Sequence, residues 1–590
     1  MDTILIKTVR INGFRGLKNI EVNLEPTTVL TGMNNSGKTS FLKALQVVFG
    51  NRQFLSHDDF YIEDNDSVSL ITIDVLIVPL NKDNSKNFSE DWEILLTTDR
   101  IKTTAEGDFV PLRVVVKYDE IRNSPTVKQY ILEDWVDFEF GDPKRYWYEL
   151  DNGNENSFRF EEIPFFYMDA QRDILEDIKL KSSYIGKMLS KIEYTPEDIQ
   201  DIENQIELLN QSAVDKSEIL TIVKDALTEL NSAMDSTSGG VEITPFTKKI
   251  RDLNKGLTIN YGEGNDSFLM EYHGMGTRSW SSLLTLKAFI ELFNINSSKN
   301  DSVFFPIVAI EEPESHLHPN AQKKLYSQIN NFIGQKIIST HSPYIASAAD
   351  LGEVRNFYKN GIVKIGALPV SSFLTEDIRK INRQVINTKG EIFFSKCLVL
   401  GEGETEEQAL PIFFEKHFSG SSIEYGIDFI GVGSYGNYLP FIRFAEALNI
   451  PWFIFSDNDD SGKVKTSVQK QLTTSGSTRQ ESNCIVFVND ENDFEKQLIN
   501  DGFQDEIKKV LLSLKIYENP QHESVKKPQD EAEINGLSNE ELYEYLTKEK
   551  AKFSPLVADE IINSDKELPS KIIDLFTKVA LELNIEVQHG

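Results

Sequence analysis

Hydrophobic and polar positions change rhythm several times along the chain. The first residues, "TILIKTVRINGF", alternate with the two-residue period of a strand. "TTVLTGMNNSGKTSFLKALQVVF" then reads as a short β-branched strand, a glycine-framed loop and an amphipathic helix. Residues 68–150 alternate again and predict a strand-rich lobe, and "FFYMDAQRD" (165–173) predicts one more buried strand. From about 174 to 235 the apolar positions fall at i, i+3 and i+4 on a charged background. That stretch predicts helices too thin to enclose a core of their own, which a second copy of the chain could cover.

Two more strands follow, the fully apolar Phe304 to Ile310 and then "KIIST", before a polar connector near 371–390. Beyond the connector, strands alternate with helices: "KCLVLGEGETEEQALPIFFEKHF", "YGIDFIGVGSYGNYLPFIRFAEAL", "IPWFIFSDNDDSGK", then "CIVFV" and "NDFEKQLI". This rhythm predicts a parallel sheet. The fold class expected is α/β: a P-loop ATPase with a helical insert, followed by a C-terminal parallel-sheet domain. The expected units are 1–173, 174–240, 241–375, 391–512 and 513–590.

Composition narrows the class. A chain of 590 residues with 40% hydrophobic and 26% charged residues is a multidomain globular protein. No apolar run reaches the roughly 18–20 residues needed to span a bilayer. The start lacks a basic leader and cleavage site, so a cytoplasmic protein is expected. Cys397 and Cys484, the two cysteines, lie in apolar strand-like runs and read as buried thiols. A net charge of −32 argues against smooth coating of nucleic acid, because phosphate contacts require Lys and Arg. A local basic groove or a metal-bridged phosphate contact stays compatible with it.

Gly32 to Thr39 satisfies G-x-x-x-x-G-K-[ST] between a strand and a helix. In such a loop the backbone of Gly32, Asn35, Ser36 and Gly37 curls around phosphates. Lys38 reaches the β/γ-phosphates, and Thr39 ligates Mg²⁺. Glu311 and Glu312 follow an apolar strand, where one carboxylate can hold Mg²⁺ through water and its neighbour can orient or deprotonate the attacking water. His341, at the end of the next strand, is placed to sense a γ-phosphate. His316 and His318 lack cysteine partners and read as structural. Arg172 beside Asp173 either faces the nucleotide or pairs on the surface.

The second half gathers acids at strand ends. Glu402 follows one strand, with Glu406 a helical turn later. Asp457, Asp459 and Asp460 crowd the end of another. Parallel strands would bring Glu402, Glu406, Asp457 and Asp459 to one sheet edge. Like charges so close raise one another's pKa unless a cation offsets them, and hard Mg²⁺ or Mn²⁺ is the natural partner.

The ordered motifs "GMNNSGKT", "EEPESHLHP" and "STHSP" resemble the ABC-type ATPases of the SMC/RecF kind. There a signature loop from a second subunit completes each nucleotide site. Its counterpart here is "YHGMGTRSW", with Gly274, Gly276 and Thr277, and it implies a dimer. "LGEGETE" and "SDNDDSG" resemble the Toprim domain, although Gly401 stands where that family usually has a branched residue. The whole arrangement resembles the OLD (overcoming lysogenization defect) family of nucleases, which includes the nuclease of the Gabija anti-phage system. That resemblance adds Glu495 and a C-terminal lysine, Lys550 or its competitor Lys552. It implies an ATP-regulated, metal-dependent DNA endonuclease in anti-phage defence, in which ATP restrains cutting. Its expected partners are double-stranded DNA, further copies in a dimer or dimer of dimers, and a UvrD-like helicase. The alternative is a RecF/SMC-like ATP-switched DNA-binding or repair factor whose Toprim module is not catalytic.

Overall fold

The computed structural model describes residues 3–50, 55–63, 66–67, 70–119, 124–138, 145–149, 153–179, 195–224, 260–261, 268–299, 302–386, 389–489 and 491–586. Much of the expected helical insert lies outside the described residues. What is described of it includes one long helix, Pro196–Asp215, with the exposed side chains of Leu208 and Leu209.

The first half holds two sheets. An antiparallel sheet of seven strands runs Asn154–Asn156, Ser124–Ile131, Gly107–Asp119, Leu70–Leu80, Thr3–Asn12 and Ile20–Asn23, with Lys102–Thr104 added alongside Gly107–Asp119. Among the described residues, the alternation at Leu70–Leu80, Gly107–Asp119 and Ser124–Ile131 is therefore strand, with one face on a shared core that also receives the P-loop helix Lys38–Phe49.

The second sheet has six strands in the order Phe165–Met168, Ile307–Glu311, Gln335–Ser339, Thr27–Thr31, Val354–Asn360 and Ile362–Gly366. The first five are parallel and the last is antiparallel to its neighbour. The P-loop strand, Thr27–Thr31, is buried at every position, which is why it reads as a continuous apolar and β-branched run. The strand carrying Glu311 lies two places away, with the strand preceding His341 between them.

In the second half, four parallel strands run Ile427–Gly431, Cys397–Gly401, Trp452–Ser456 and Ile485–Phe487. Their core is continuous with that of the C-terminal helices: Phe413, Phe453, Leu542, Phe553 and Phe576 belong to one cluster. The expected division at 512/513 thus falls inside a single hydrophobic core. Helix Lys550–Ile562 packs along helix Glu404–Phe418, and the Ser554 hydroxyl donates to the Thr405 carbonyl at 3.0 Å.

Candidate active sites

The P-loop runs from the end of its strand into the helix with two glycines at positive φ, Gly32 at 121° and Gly37 at 106°. A Cβ on Gly32 would sit 2.2 Å from the Phe357 carbonyl oxygen, so only glycine lets the loop leave the sheet here. Ser36 is buried and Asn35 adopts the left-handed conformation at φ 59°. Lys38 lies within the loop, donating to the carbonyls of Gly32 (2.7 Å) and Met33 (2.9 Å). Burial pulls its pKa down to about 8, against the opposing pull of Glu312, Glu314 and Glu311.

Glu311 ends its strand with both carboxylate oxygens engaged. Thr39 donates to one in a short hydrogen bond, and the Tyr167 hydroxyl donates to the other in a second short one. A threonine hydroxyl and an acid in direct contact are the donor set that Mg²⁺ takes from a P-loop site, so the residues fit the ion. Glu312 turns away at φ 42°, a conformation that costs free energy for a residue with a Cβ, and its Oε1 lies 3.7 Å from His341 Nε2. Burial, then the charge of Lys38, pushes His341 down to about 4, so the imidazole is neutral at pH 7.

Three further side chains hold this edge together, two of which, Tyr167 and Glu314, the spacing did not single out. Tyr167 anchors Glu311. Glu314, buried, accepts from the Thr340 hydroxyl (2.8 Å) and the His341 amide (2.6 Å). Arg172 is buried rather than on the surface, and it clamps the turn after Glu311 by donating to the Pro313 carbonyl at 2.7 Å. Asp173 instead pairs with Arg278.

Gly276 opens helix Met275–Lys299, where an added Cβ would come within 2.4 Å of the His316 carbonyl oxygen. Its lack of a side chain is thus already required by packing within one chain. His316 (φ 68°) shapes that turn and His318 caps helix Pro319–Asn330, so neither histidine stands in a metal set.

At the other sheet, Glu402 follows Cys397–Gly401 and Asp457 follows the adjacent strand Trp452–Ser456. Glu406 lies over Gly401: a Cβ there would be 2.5 Å from the Glu406 Cβ, which explains glycine where a branched residue was expected. The Glu406 carboxylate is buried and accepts from the Gly403 amide at 2.9 Å. Glu495, on helix Phe494–Asn500, is also buried.

Lys550 reaches this edge from the C-terminal helices. Its ammonium donates to Glu495 (2.8 Å) and to Asp493 (3.1 Å). Burial alone would lower its pKa, but the charges and hydrogen bonds of Glu495 and Asp493 outweigh it and hold the lysine above its usual range. Lys552 points outward and pairs with Glu549. Asp460 leaves the cluster too. Left-handed backbone at Asp460 and Ser461 turns it into solvent, where it pairs with Lys463 at 3.0 Å. Asp493 joins instead: it caps its helix through the Lys496 amide and also accepts from Lys550 and from the Tyr543 hydroxyl at 2.9 Å.

Lys550 compensates the negative charge of this edge only in part. Burial and then the charges of Glu406 and Asp459 raise Glu402 to about 7. Burial, Glu406, Glu402, Asp493 and Glu495 together hold Asp457 well above the carboxylate range. Asp459 is raised as well, by burial first and Asp493 next. Glu402 Oε2 and Asp457 Oδ1 are buried without a hydrogen-bond partner. Among the described residues no three His, Cys, Asp or Glu side chains converge closely enough to hold a metal ion. The acids therefore share an edge without meeting at a point. Hard oxygen donors with two orphaned, buried oxygens nonetheless fit a divalent cation, which would supply both missing partners.

Residues 5–346 match the AAA ATPase domain family, and residues 393–459 match the OLD-like TOPRIM domain. The chain belongs to the AAA ATPase domain family and carries an OLD-like TOPRIM domain behind it. It is similar to the OLD nuclease of Thermus scotoductus, 24% identical over 481 residues that make up 77% of this chain and 82% of that one. It is also similar to the endonuclease GajA of Bacillus cereus, 23% identical over 502 residues, 79% of this chain and 77% of that one. A solved C-terminal region of the Burkholderia pseudomallei OLD protein aligns over 32% of this chain and 99% of that one, at 17% identity and a TM-score of 0.25. Among the described residues no helix is long and apolar enough to cross a membrane.

Proposed function

We propose that this chain is an ATP-regulated, Mg²⁺- or Mn²⁺-dependent endonuclease acting on double-stranded DNA in anti-phage defence. The observation that carries this is the gathering of Glu402, Glu406, Asp457, Asp459 and Glu495 at one sheet edge beside Lys550, with two buried carboxylate oxygens unpartnered. Similarity to an OLD nuclease and to an endonuclease supports it. A divalent cation held by Glu402, Asp457 and Asp459 would offset phosphodiester charge and make bound water a nucleophile near neutral pH. Glu406 and Asp493 would keep that edge negative. Lys550, held charged by Glu495 and Asp493, stands where it can stabilise charge developing on the scissile phosphate. Metal-bridged contact also reconciles DNA binding with a net charge of −32.

The nucleotide is not a reactant in this hydrolysis and acts by shifting conformation. Two contacts support a path between the halves. The His341 ring lies 6.1 Å from that of Phe394, just ahead of the strand that leads to Glu402. Thr31, next to the P-loop, donates to Asn356, which donates to the Leu448 carbonyl at 2.9 Å. The exposed Leu208, Leu209, Ile219 and Ile222 of the insert support assembly into a dimer or dimer of dimers in the cytoplasm. A UvrD-like helicase is proposed as a further partner.

The test is nicking of supercoiled plasmid with Mn²⁺. Wild type should nick, and Asp457→Ala should lose about a thousandfold in rate while still binding nucleotide. Undiminished cutting by Asp457→Ala would remove the acid cluster from the reaction.

A further inference from the structure

Tyr167 lies in "FFYMDAQRD", a stretch that spacing marks as a strand and to which it gives no role at the P-loop, yet its place is specific. Its strand, Phe165–Met168, pairs in parallel with Ile307–Glu311, and Tyr167 stands opposite Ala309. Side chains alternate along a strand, so Ala309 and Glu311 share a face and Tyr167 joins them on it. From there the phenol reaches one oxygen of Glu311 while Thr39 donates to the other. A carboxylate at a strand end can otherwise rotate freely about its last bond. Here both of its oxygens are assigned.

The ring is held in turn. The Lys43 ammonium, one turn along the P-loop helix from Thr39, lies 3.8 Å from the ring centroid. A cation over the face withdraws electron density from the phenol and makes its hydroxyl a stronger donor. Burial, with the charge of Glu311, keeps that hydroxyl protonated and donating. Phe165 and Phe166, beside it on the same strand, are apolar, so packing alone does not call for a hydroxyl here.

We infer that Tyr167 is a positioning residue for the magnesium ion of the nucleotide site: it fixes one oxygen of Glu311 so that the other faces the ion beside Thr39. The assignment rests on the P-loop half binding a magnesium nucleotide. In this role Tyr167 acts through Glu311, to which its hydroxyl donates. Its effect should therefore appear in metal affinity rather than in nucleotide affinity measured without metal.

The experiment titrates Mn²⁺ by electron paramagnetic resonance into the full chain with a slowly hydrolysed ATP analogue. A parallel titration measures binding of a fluorescent ATP analogue in EDTA. Tyr167→Phe removes the hydroxyl and keeps the ring. It should raise the Mn²⁺ midpoint about tenfold, the scale expected when a group that orients a metal ligand is lost. Affinity in EDTA should stay within about twofold of wild type, since the role assigned to Tyr167 runs through the metal ligand Glu311. Lys43→Gln, which keeps the hydroxyl, should shift the midpoint in the same direction by less. An unchanged midpoint in Tyr167→Phe would overturn the inference, and so would a parallel loss of affinity in EDTA. Lys38→Ala separates the underlying premise. If it binds the analogue as wild type does, the P-loop half is not a nucleotide site and the role of Tyr167 falls with it.

Discussion

Asp74 and Asp457 are both carboxylates set in the strand-built interior of this chain, in opposite electrostatic circumstances. Asp74 lies in the antiparallel sheet directly across from Arg113, and neither side chain has any exposure to solvent. Arg113 grips it with two hydrogen bonds of 2.7 Å, and the Tyr146 hydroxyl adds a third at 2.7 Å. Arg10 donates to the same tyrosine and pairs with Glu21. Every charge in that network has a partner of opposite sign within the chain. Asp457 is surrounded by Glu402, Glu406, Asp493 and Glu495, and one of its oxygens is bonded to nothing. Lys550 contacts this cluster at its rim, through Glu495 and Asp493. A structural charge comes neutralised; a charge kept in deficit at real cost needs another reason, and binding a cation is the one its chemistry offers.

The largest expected effect breaks the compensated side. Asp74→Ala leaves Arg113 buried without its carboxylate, which should cost about 3–5 kcal/mol of stability. Chemical denaturation followed by circular dichroism measures it. A replacement in the acid cluster should behave differently: Asp457→Asn removes a repelling charge and should leave the metal-free protein at least as stable as wild type. Equal losses from the two substitutions would mean the clusters are not opposites.

A second expectation sharpens the contrast through pH. Glu402 is raised to about 7, above its ordinary carboxylate value. A raised carboxyl holds its proton in the folded state longer than in the unfolded one. Its contribution to stability is therefore full below the unfolded value near 4.3 and is lost as pH climbs through about 7. Solvent screening at this half-open group limits the effect to the order of 1–2 kcal/mol. Divalent metal should reverse it. The rise in melting temperature caused by Mn²⁺ should be larger at pH 8 than at pH 5.5, where the ion competes with protons. Asp74 and Arg113, paired internally, should contribute no such metal dependence. Equal Mn²⁺ shifts at the two pH values would separate the acids from metal binding.

How much of this could be read from the sequence depends on whether a site is written in one stretch. The P-loop is contiguous, so Gly32 to Thr39 are legible as a unit, and so is the pair Glu311–Glu312 after its apolar strand. The parallel order of the second-half strands was also legible, because buried parallel strands carry unbroken apolar runs. What spacing misjudged was set by backbone handedness and by side chains arriving from far along the chain. Asp460 looked like part of the cluster, but two left-handed residues turn it outward. Asp493 drew no notice in the sequence, yet it caps its helix and also receives Lys550 and Tyr543 from helices fifty or more residues away. No periodicity separates Lys550 from Lys552; only the packing of helix Lys550–Ile562 on helix Glu404–Phe418 does so. Tyr167 and Arg172 stand in "FFYMDAQRD" and Glu314 in "EEPESHLHP", but spacing does not reveal that they brace the strand ends at Glu311 and His341.

The smallest expected effect concerns how the two regions communicate. Lys38→Ala, without the phosphate-binding charge, should cut DNA and ignore ATP. Glu312→Gln should bind ATP, hydrolyse it poorly and remain restrained. Between those extremes, the ring contact of His341 with Phe394 is a specific joint. Phe394 ends the short helical turn Gly390–Phe394, which packs against helix Pro343–Ala348 directly after His341. Three residues later begins the strand that delivers Glu402. A shift of His341 on meeting a γ-phosphate would thus press on an element joined to the acid edge by only a few rigid residues. Phe394→Ala keeps the nucleotide site and the acids and removes the contact, so ATP affinity should hold while restraint of nicking weakens. Coupling through one packed side chain amounts to about 0.5–2 kcal/mol, which is a two- to thirtyfold change in the ratio of nicking rates with and without ATP. A ratio equal to wild type would shift the coupling to the other joint, where Asn356→Ala cuts the link from Thr31 to Leu448. If wild-type nicking instead requires ATP and Lys38→Ala is inert, ATP drives the acid edge rather than restraining it, and Phe394→Ala should then lower the ATP-dependent rate.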